Sequence, residues 1–214
     1  MVFLYSVYNR SMTNTLEQNI SDRLSVVEER ISEAAARAGR DSAEITLVSV
    51  TKTWPAEVLA AAYQVGIRDI GENRAEELSR KQSELQQSHP EIDAFIWHQI
   101  GTLQSRKTKL VAQHADFFHA LDRLKIANRL STQLAEIGRS LPVLLEVNLS
   151  GEGSKSGFQT NNWEESATQR ERVRSVVETV AQLPHIDLQG LMTMAPWGIE
   201  EKAIRAVFRR TRLL

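Results

Sequence analysis

The chain contains no cysteine. That absence removes disulfides, thiolate catalysis and cysteine-ligated metal, and it fits a reducing cytoplasm. An excess of one charge is also missing. The 26 Lys and Arg residues against 27 Asp and Glu leave a formal net charge of −1. No global basic field therefore argues for nucleic acid as a partner. The apolar start, Met1-Val2-Phe3-Leu4-Tyr5, is too short to span a bilayer. It also lacks the basic opening and small-residue cleavage site of a secretory signal, so no membrane partner is expected. None of the five histidines sits in an HExxH pattern, and no metal site is expected.

What is present is ordinary globular composition: 214 residues, 42% hydrophobic and 25% charged. That is enough chain to bury a core within one domain. Residues 1–12 read as a disordered or loosely docked extension, with Met12 as an alternative start, and residues 13–214 as a single domain.

Thr13 or Asn14 is placed to cap a first helix carrying Leu16, Ile20, Leu24, Val27 and Ile31 on one face, with Gly39 ending it. The run Ile45 to Val50 reads as strand one, and Pro55 suits the first turn of a helix to about Val65. Strand two is Asp69-Ile70, followed by a charged helix from Ala75 to Gln87. Strand three is Ala94 to His98, with a basic helix from Leu103 to Gln113. Strand four is Phe117 to Leu121, and Asp122 caps a helix through about Ile137. Strand five is Pro142 to Asn148, with a Gly/Ser loop from Ser150 to Gly157 and a helix from Trp163 to about Gln182. Strand six is Leu188 to Met192, and a last helix covers Glu200 to Leu214.

Six strand–helix repeats with short loops mean a parallel sheet covered by helices. An open doubly wound sheet and a (β/α)8 barrel both satisfy that pattern. The missing dinucleotide fingerprint after strand one weakens the first, and polar residues at the strand ends favour the barrel, although the count is two strands short of eight.

Several strand ends carry candidate chemistry. Lys52 follows the first apolar run; a partly desolvated lysine at a strand end condenses with carbonyls, but many such lysines only snorkel at the surface. Gly71-Glu72-Asn73-Arg74 is either a turn with a helix cap or a site where Asn73 presents an amide to a polar ring. His98 in Trp97-His98-Gln99-Ile100-Gly101 is either a satisfied structural group or part of a site, and His119 closes strand four. The segment Asn148 to Phe158 fails the nucleotide P-loop test, because Leu149 and Ser154 stand where glycines are required. Met192 and Met194 suit a core as well as a ligand. The basic tail, Lys202 to Arg212, reads as a solvated helix face.

Taken in order, Val50-Thr51-Lys52-Thr53 with Pro55, Gly71-Glu72-Asn73, Trp97 to Gly101 with Leu103-Gln104-Ser105 and Lys107, Asp122-Arg123, Val147-Asn148 with Ser150, Glu152, Lys155, Gly157 and Phe158, and Gly190-Leu191-Met192-Thr193 resemble the pyridoxal-phosphate homeostasis protein family. The resemblance implies an α/β fold, a (β/α)8 TIM-barrel type similar to the alanine racemase N-terminal domain. It implies pyridoxal 5′-phosphate as cofactor, held as a Schiff base on Lys52, with Val50, Asn73, His98, Asn148 and Met192 around it and no robust catalysis. It further implies a cytoplasmic monomer or weak dimer that serves intracellular cofactor homeostasis, with pyridoxal-phosphate-dependent apoenzymes as recipients.

Two departures stand out. Arg106 replaces the family's usual Asn, and no consequence is assigned to it. The family's last two strands, whose loops supply most phosphate contacts and a ring-nitrogen partner, have no counterpart before Leu214. The expectation is a barrel incomplete at its C-terminus, with exposed sheet edges that invite aggregation. Alternatives are a truncated member that binds weakly or not at all, a racemase-like or decarboxylase enzyme, and a barrel binding an unrelated anion. The enzyme reading lacks a clear tyrosine acid: Tyr5 and Tyr8 lie in the extension and Tyr63 on a helix.

Overall fold

The computed structural model describes residues 15–92, 95–153 and 155–214. The extension at 1–12, the Met12 start, the Thr13 or Asn14 cap, Ala94 and Ser154 lie outside these residues. The first helix, α1, spans Leu16–Arg37 and is capped by Thr15, whose side chain accepts from the Gln18 amide. Ile20 and Leu24 on its apolar stripe pack against the core.

The chain then alternates strand and helix: β1 (Ser49–Val50), α2 (Ala56–Gln64), β2 (Asp69–Glu72), α3 (Ala75–Ser88), β3 (Ile96–Gln99), α4 (Thr108–His114) and β4 (Phe117–Leu121). It continues with α5 (Leu124–Glu136), β5 (Leu141–Asn148), β6 (Phe158–Gln159), α6 (Ala167–Ala181), β7 (Ile186–Met192) and α7 (Glu201–Leu213). All pairings are parallel, and the sheet runs β1-β2-β3-β4-β5 with β7 next to β5. Each crossover therefore steps once in the same direction. A doubly wound sheet reverses direction at a switch point, whereas a barrel does not. The winding is that of the barrel. Among the described residues, β1 pairs only with β2, and β7 only with β5.

Several boundaries differ from the sequence expectation. The run from Ile45 is strand only at Ser49–Val50, because a lone neighbour on one side supports few ladder bonds. Pro55 is the N-cap of α2 rather than part of its first turn. The basic helix begins as a short 3-10 turn at Ser105–Lys107 before α4. Asp122 does not cap α5: Arg123 occupies that position, and Asp122 accepts a bond from the Arg123 guanidinium at 2.5 Å.

The two-residue β6 follows directly on the Gly/Ser loop, at residues to which the sequence pattern assigns no element. Gly157 explains it. Its φ is +102°, and a Cβ there would lie 2.8 Å from the Glu146 carbonyl oxygen. Only glycine lets the loop return this close and pair Phe158 with Val147.

The helix-facing side of the sheet forms the core. Ile70, Phe118, Val143 and Leu145 are fully buried there, against Leu59, Leu78, Leu130, Leu134 and Val180 of the helices. The opposite face is less enclosed: Ile96 is 43% exposed. No helix of the described residues is long and apolar enough to cross a membrane.

Candidate functional site

In a parallel sheet every strand delivers its C-terminal end to one rim. Register shows which residues share a level. Val50 pairs with Gly71, Gly71 with His98, and Glu72 with Gln99. Met192 pairs with Glu146, two residues before Asn148. Lys52, Asn73, Asn148 and Met192 therefore all leave the sheet at the same rim as Val50. Lys52 is half-buried in the turn after β1, while Asn73 is exposed after β2.

Hydrogen bonds from backbone amides tie the rim together across neighbouring strands. The Thr51 amide donates to the Gly71 carbonyl at 3.0 Å, and the Ile100 amide to the Glu72 carbonyl at 2.9 Å. The Asn73 carbonyl accepts from Gln99 Nε2 at 3.0 Å. Gly101 lies against it so closely that a Cβ would sit 2.4 Å from that oxygen. This close approach is why the Gln-Ile-Gly segment needs its glycine.

Asn148 is committed to the loop that follows it. Its Oδ1 accepts from the Ser150 amide, the Ser150 hydroxyl and the Gly151 amide at 3.0–3.2 Å. Its Nδ2 donates to the carbonyls of Glu152 at 3.0 Å and Lys155 at 3.4 Å. One 3%-exposed side chain thus organises the Gly/Ser loop. Asn148→Ala is expected to lower stability by about 1–3 kcal/mol, the usual cost of orphaning buried polar groups. Urea unfolding reads that loss, and limited proteolysis should show faster cleavage within 150–157.

His98 lies on the open face, engaged on both ring nitrogens. Nε2 is 2.9 Å from Asp69 Oδ1, and Nδ1 is 2.7 Å from His119 Nε2. One proton arrangement satisfies the chain: His119 Nε2–H donates to His98 Nδ1, and His98 Nε2–H donates to Asp69. Both rings are then neutral. Burial pulls His98 below the usual histidine value, against the pull of Asp69. Burial, then the neighbouring His98, pulls His119 down to about 4. The Phe117 ring stacks on His98 at 5.5 Å.

Glu146 stands on β5 and is 4% exposed. Burial, then the nearby Asp122 charge, pushes its carboxyl up to about 7. Burial also raises Asp122, in spite of Arg123. Glu146 Oε2 and Asp122 Oδ1 are buried without a hydrogen-bond partner. Nothing in the sequence singles out Glu146, because alternation along a mostly apolar strand marks a face but does not mark a carboxyl as unpaired.

The chain matches the family model for the alanine racemase N-terminal domain over residues 23–212. It is 41% identical over 195 residues to the pyridoxal phosphate homeostasis protein of Pseudomonas aeruginosa, covering 91% of this chain and 78% of that protein. It is 41% identical over 176 residues to the pyridoxal phosphate homeostasis protein of Escherichia coli K12, covering 82% and 70%. Among solved structures, PipY of Synechococcus elongatus with PLP bound superposes with a TM-score of 0.68 at 29% identity, over 86% of this chain and 79% of that one. An alanine racemase of Clostridium difficile, 16% identical, shares the fold with a TM-score of 0.58 over 79% of this chain and 41% of that one.

Proposed function

The chain belongs to the pyridoxal phosphate homeostasis protein family, within the alanine racemase N-terminal domain class, and from that premise we propose that it binds pyridoxal 5′-phosphate at the strand-end rim as an intracellular cofactor carrier. Lys52 is the residue proposed to hold it. Its amine would condense with the aldehyde that the cofactor supplies, releasing one water. The bond is reversible by hydrolysis, which suits a protein that takes up and hands on a cofactor.

The observation that carries this reading is the shared level of the rim. Lys52 leaves β1 just past the Val50–Gly71 pair, beside the strand that ends before Asn73, and on the rim to which β5 and β7 also deliver their ends. Val50, Asn73 and Met192 are the proposed neighbours of the ring. Asn148 is proposed to act by shaping its loop, since its amide is already engaged. His98 is proposed to act indirectly, since both its nitrogens are bonded within the sheet.

The carrier reading also includes no robust turnover. Racemisation and related chemistry need an acid–base pair flanking the amine. Tyr63 is remote from that task, on α2 with its ring 5.3 Å from Phe95. Recipients would be apoenzymes that use the same cofactor, in the cytoplasm, met by a monomer or weak dimer.

The test is absorbance. Purified protein mixed with pyridoxal 5′-phosphate and dialysed is expected to keep an imine band and to racemise no amino acid. A spectrum identical to free cofactor removed by dialysis overturns the binding claim, and sustained racemisation overturns the carrier claim.

A further inference from the structure

The turn that carries Lys52 is tied down by a second lysine. Lys81 lies on α3 and is 0% exposed. Its Nζ donates to the Thr51 carbonyl at 2.7 Å and to Glu72 Oε1 at 2.6 Å, and it lies 3.0 Å from Glu77 Oε1. Three acceptors meet the three donors of an ammonium. The same carboxyl oxygens then reach the residues flanking Lys52. Glu72 Oε1 accepts from the Thr51 hydroxyl at 2.6 Å, and Glu77 Oε1 accepts from the Thr53 amide at 2.8 Å.

The backbone is therefore held on both sides of Lys52 by one cluster, built on the buried Lys81 and Glu72 and the half-buried Glu77. Thr53 needs that hold. Its φ is +69°, a left-handed conformation that a β-branched residue adopts only when its surroundings impose it. Nor does stability alone account for Lys81. A fully buried ion pair is often no better than apolar side chains of the same volume, because desolvating the charges offsets their attraction. Leucine at that place on the helix would continue the buried stripe of Ala75, Leu78 and Leu85.

We propose that Lys81 is a positioning residue for Lys52: through the Thr51 carbonyl and through Glu72 and Glu77 it fixes the turn at 51–53 and so the place from which the Lys52 amine meets a carbonyl ligand. This role rests on the reading of Lys52 as the cofactor amine. Lys81 itself touches no ligand.

Lys81→Met alone leaves Glu72 buried and unpaired, which risks the fold. The double variant Lys81→Met/Glu72→Leu removes both buried charges together and keeps the test open if the single variant does not fold. Wild type and double variant are compared by urea unfolding, by hydrogen exchange of the cofactor-free proteins, and by the rate of imine formation with pyridoxal 5′-phosphate followed by reduction and mapping of Lys52. Near-equal unfolding is expected, with the Thr53 amide exchanging at least about tenfold faster and the imine on Lys52 forming at least about tenfold slower, roughly 1.4 kcal/mol of barrier. Lys52 labelled at equal rates in both proteins overturns the positioning role alone. No label on Lys52 in either protein overturns the cofactor reading and this role with it.

Discussion

Lys52→Ala is expected to retain pyridoxal 5′-phosphate about 100-fold less tightly than the wild type, a loss of roughly 2.7 kcal/mol. Lys52→Arg should lose as much, because a guanidinium stays protonated and does not condense with an aldehyde. Neither change should unfold the protein. Lys52 is half-buried in a turn, outside the cluster of core residues, so its truncation opens no core cavity. Equilibrium dialysis of folded variants measures the effect. Equal retention by wild type and Lys52→Ala would place the binding elsewhere.

Glu146→Gln carries the second large effect, on stability and its dependence on pH. The carboxyl titrates near the ordinary 4.5 when the chain is unfolded and at about 7 when folded. Between those values the folded protein binds the extra proton. Stability from this group is therefore complete below about pH 4.5 and is lost as pH rises through about 7. The gap corresponds to roughly 3 kcal/mol at 1.36 kcal/mol per pH unit. Glutamine keeps the shape without the charge, so the variant should gain about 2–3 kcal/mol over wild type at pH 8 and little at pH 4.

His119 has the opposite sign. Its folded value of about 4 lies below the ordinary 6.5, so its contribution is present above 6.5 and lost as pH falls toward 4. In the wild type the two slopes oppose one another between about 4.5 and 6.5. Relative to the wild type, Glu146→Gln should shift the slope of stability against pH upward through that window, and His119→Gln should shift it downward. Urea unfolding from pH 4.5 to 8.5 resolves both, and two variants with the same slope would contradict these assignments.

Much of this fold is legible in the sequence because its signals are local. Val143, Leu145 and Val147 alternate on a run bounded by turn residues, and β5 spans Leu141–Asn148. The features that escape the sequence depend on distant partners. Among the described residues β1 pairs with β2 alone and is short, and β6 exists because Gly157 approaches the Glu146 carbonyl across the loop.

The site divides in the same way. That Lys52, Asn73 and Asn148 fall at strand ends can be read from the strand pattern, while the role proposed for them comes from the family resemblance. The engagement of both His98 nitrogens cannot be read that way, because Asp69 and His119 come from other strands. Lys81 leaves one trace in the sequence. It falls on the face of α3 shared by Ala75, Leu78 and Leu85, where a charged residue among apolar ones asks for a buried partner. Glu77, four residues earlier on the same helix, is a local partner, but that Glu72 is the other follows only from how α3 packs beside the ends of β1 and β2.

Borohydride reduction of the cofactor-loaded wild-type protein, followed by peptide mapping, tests the central claim most directly. A single pyridoxyl group on the peptide containing Lys52 is the predicted result. No stable label, or label scattered over exposed lysines such as Lys109, Lys125 and Lys202 with none on Lys52, would contradict it.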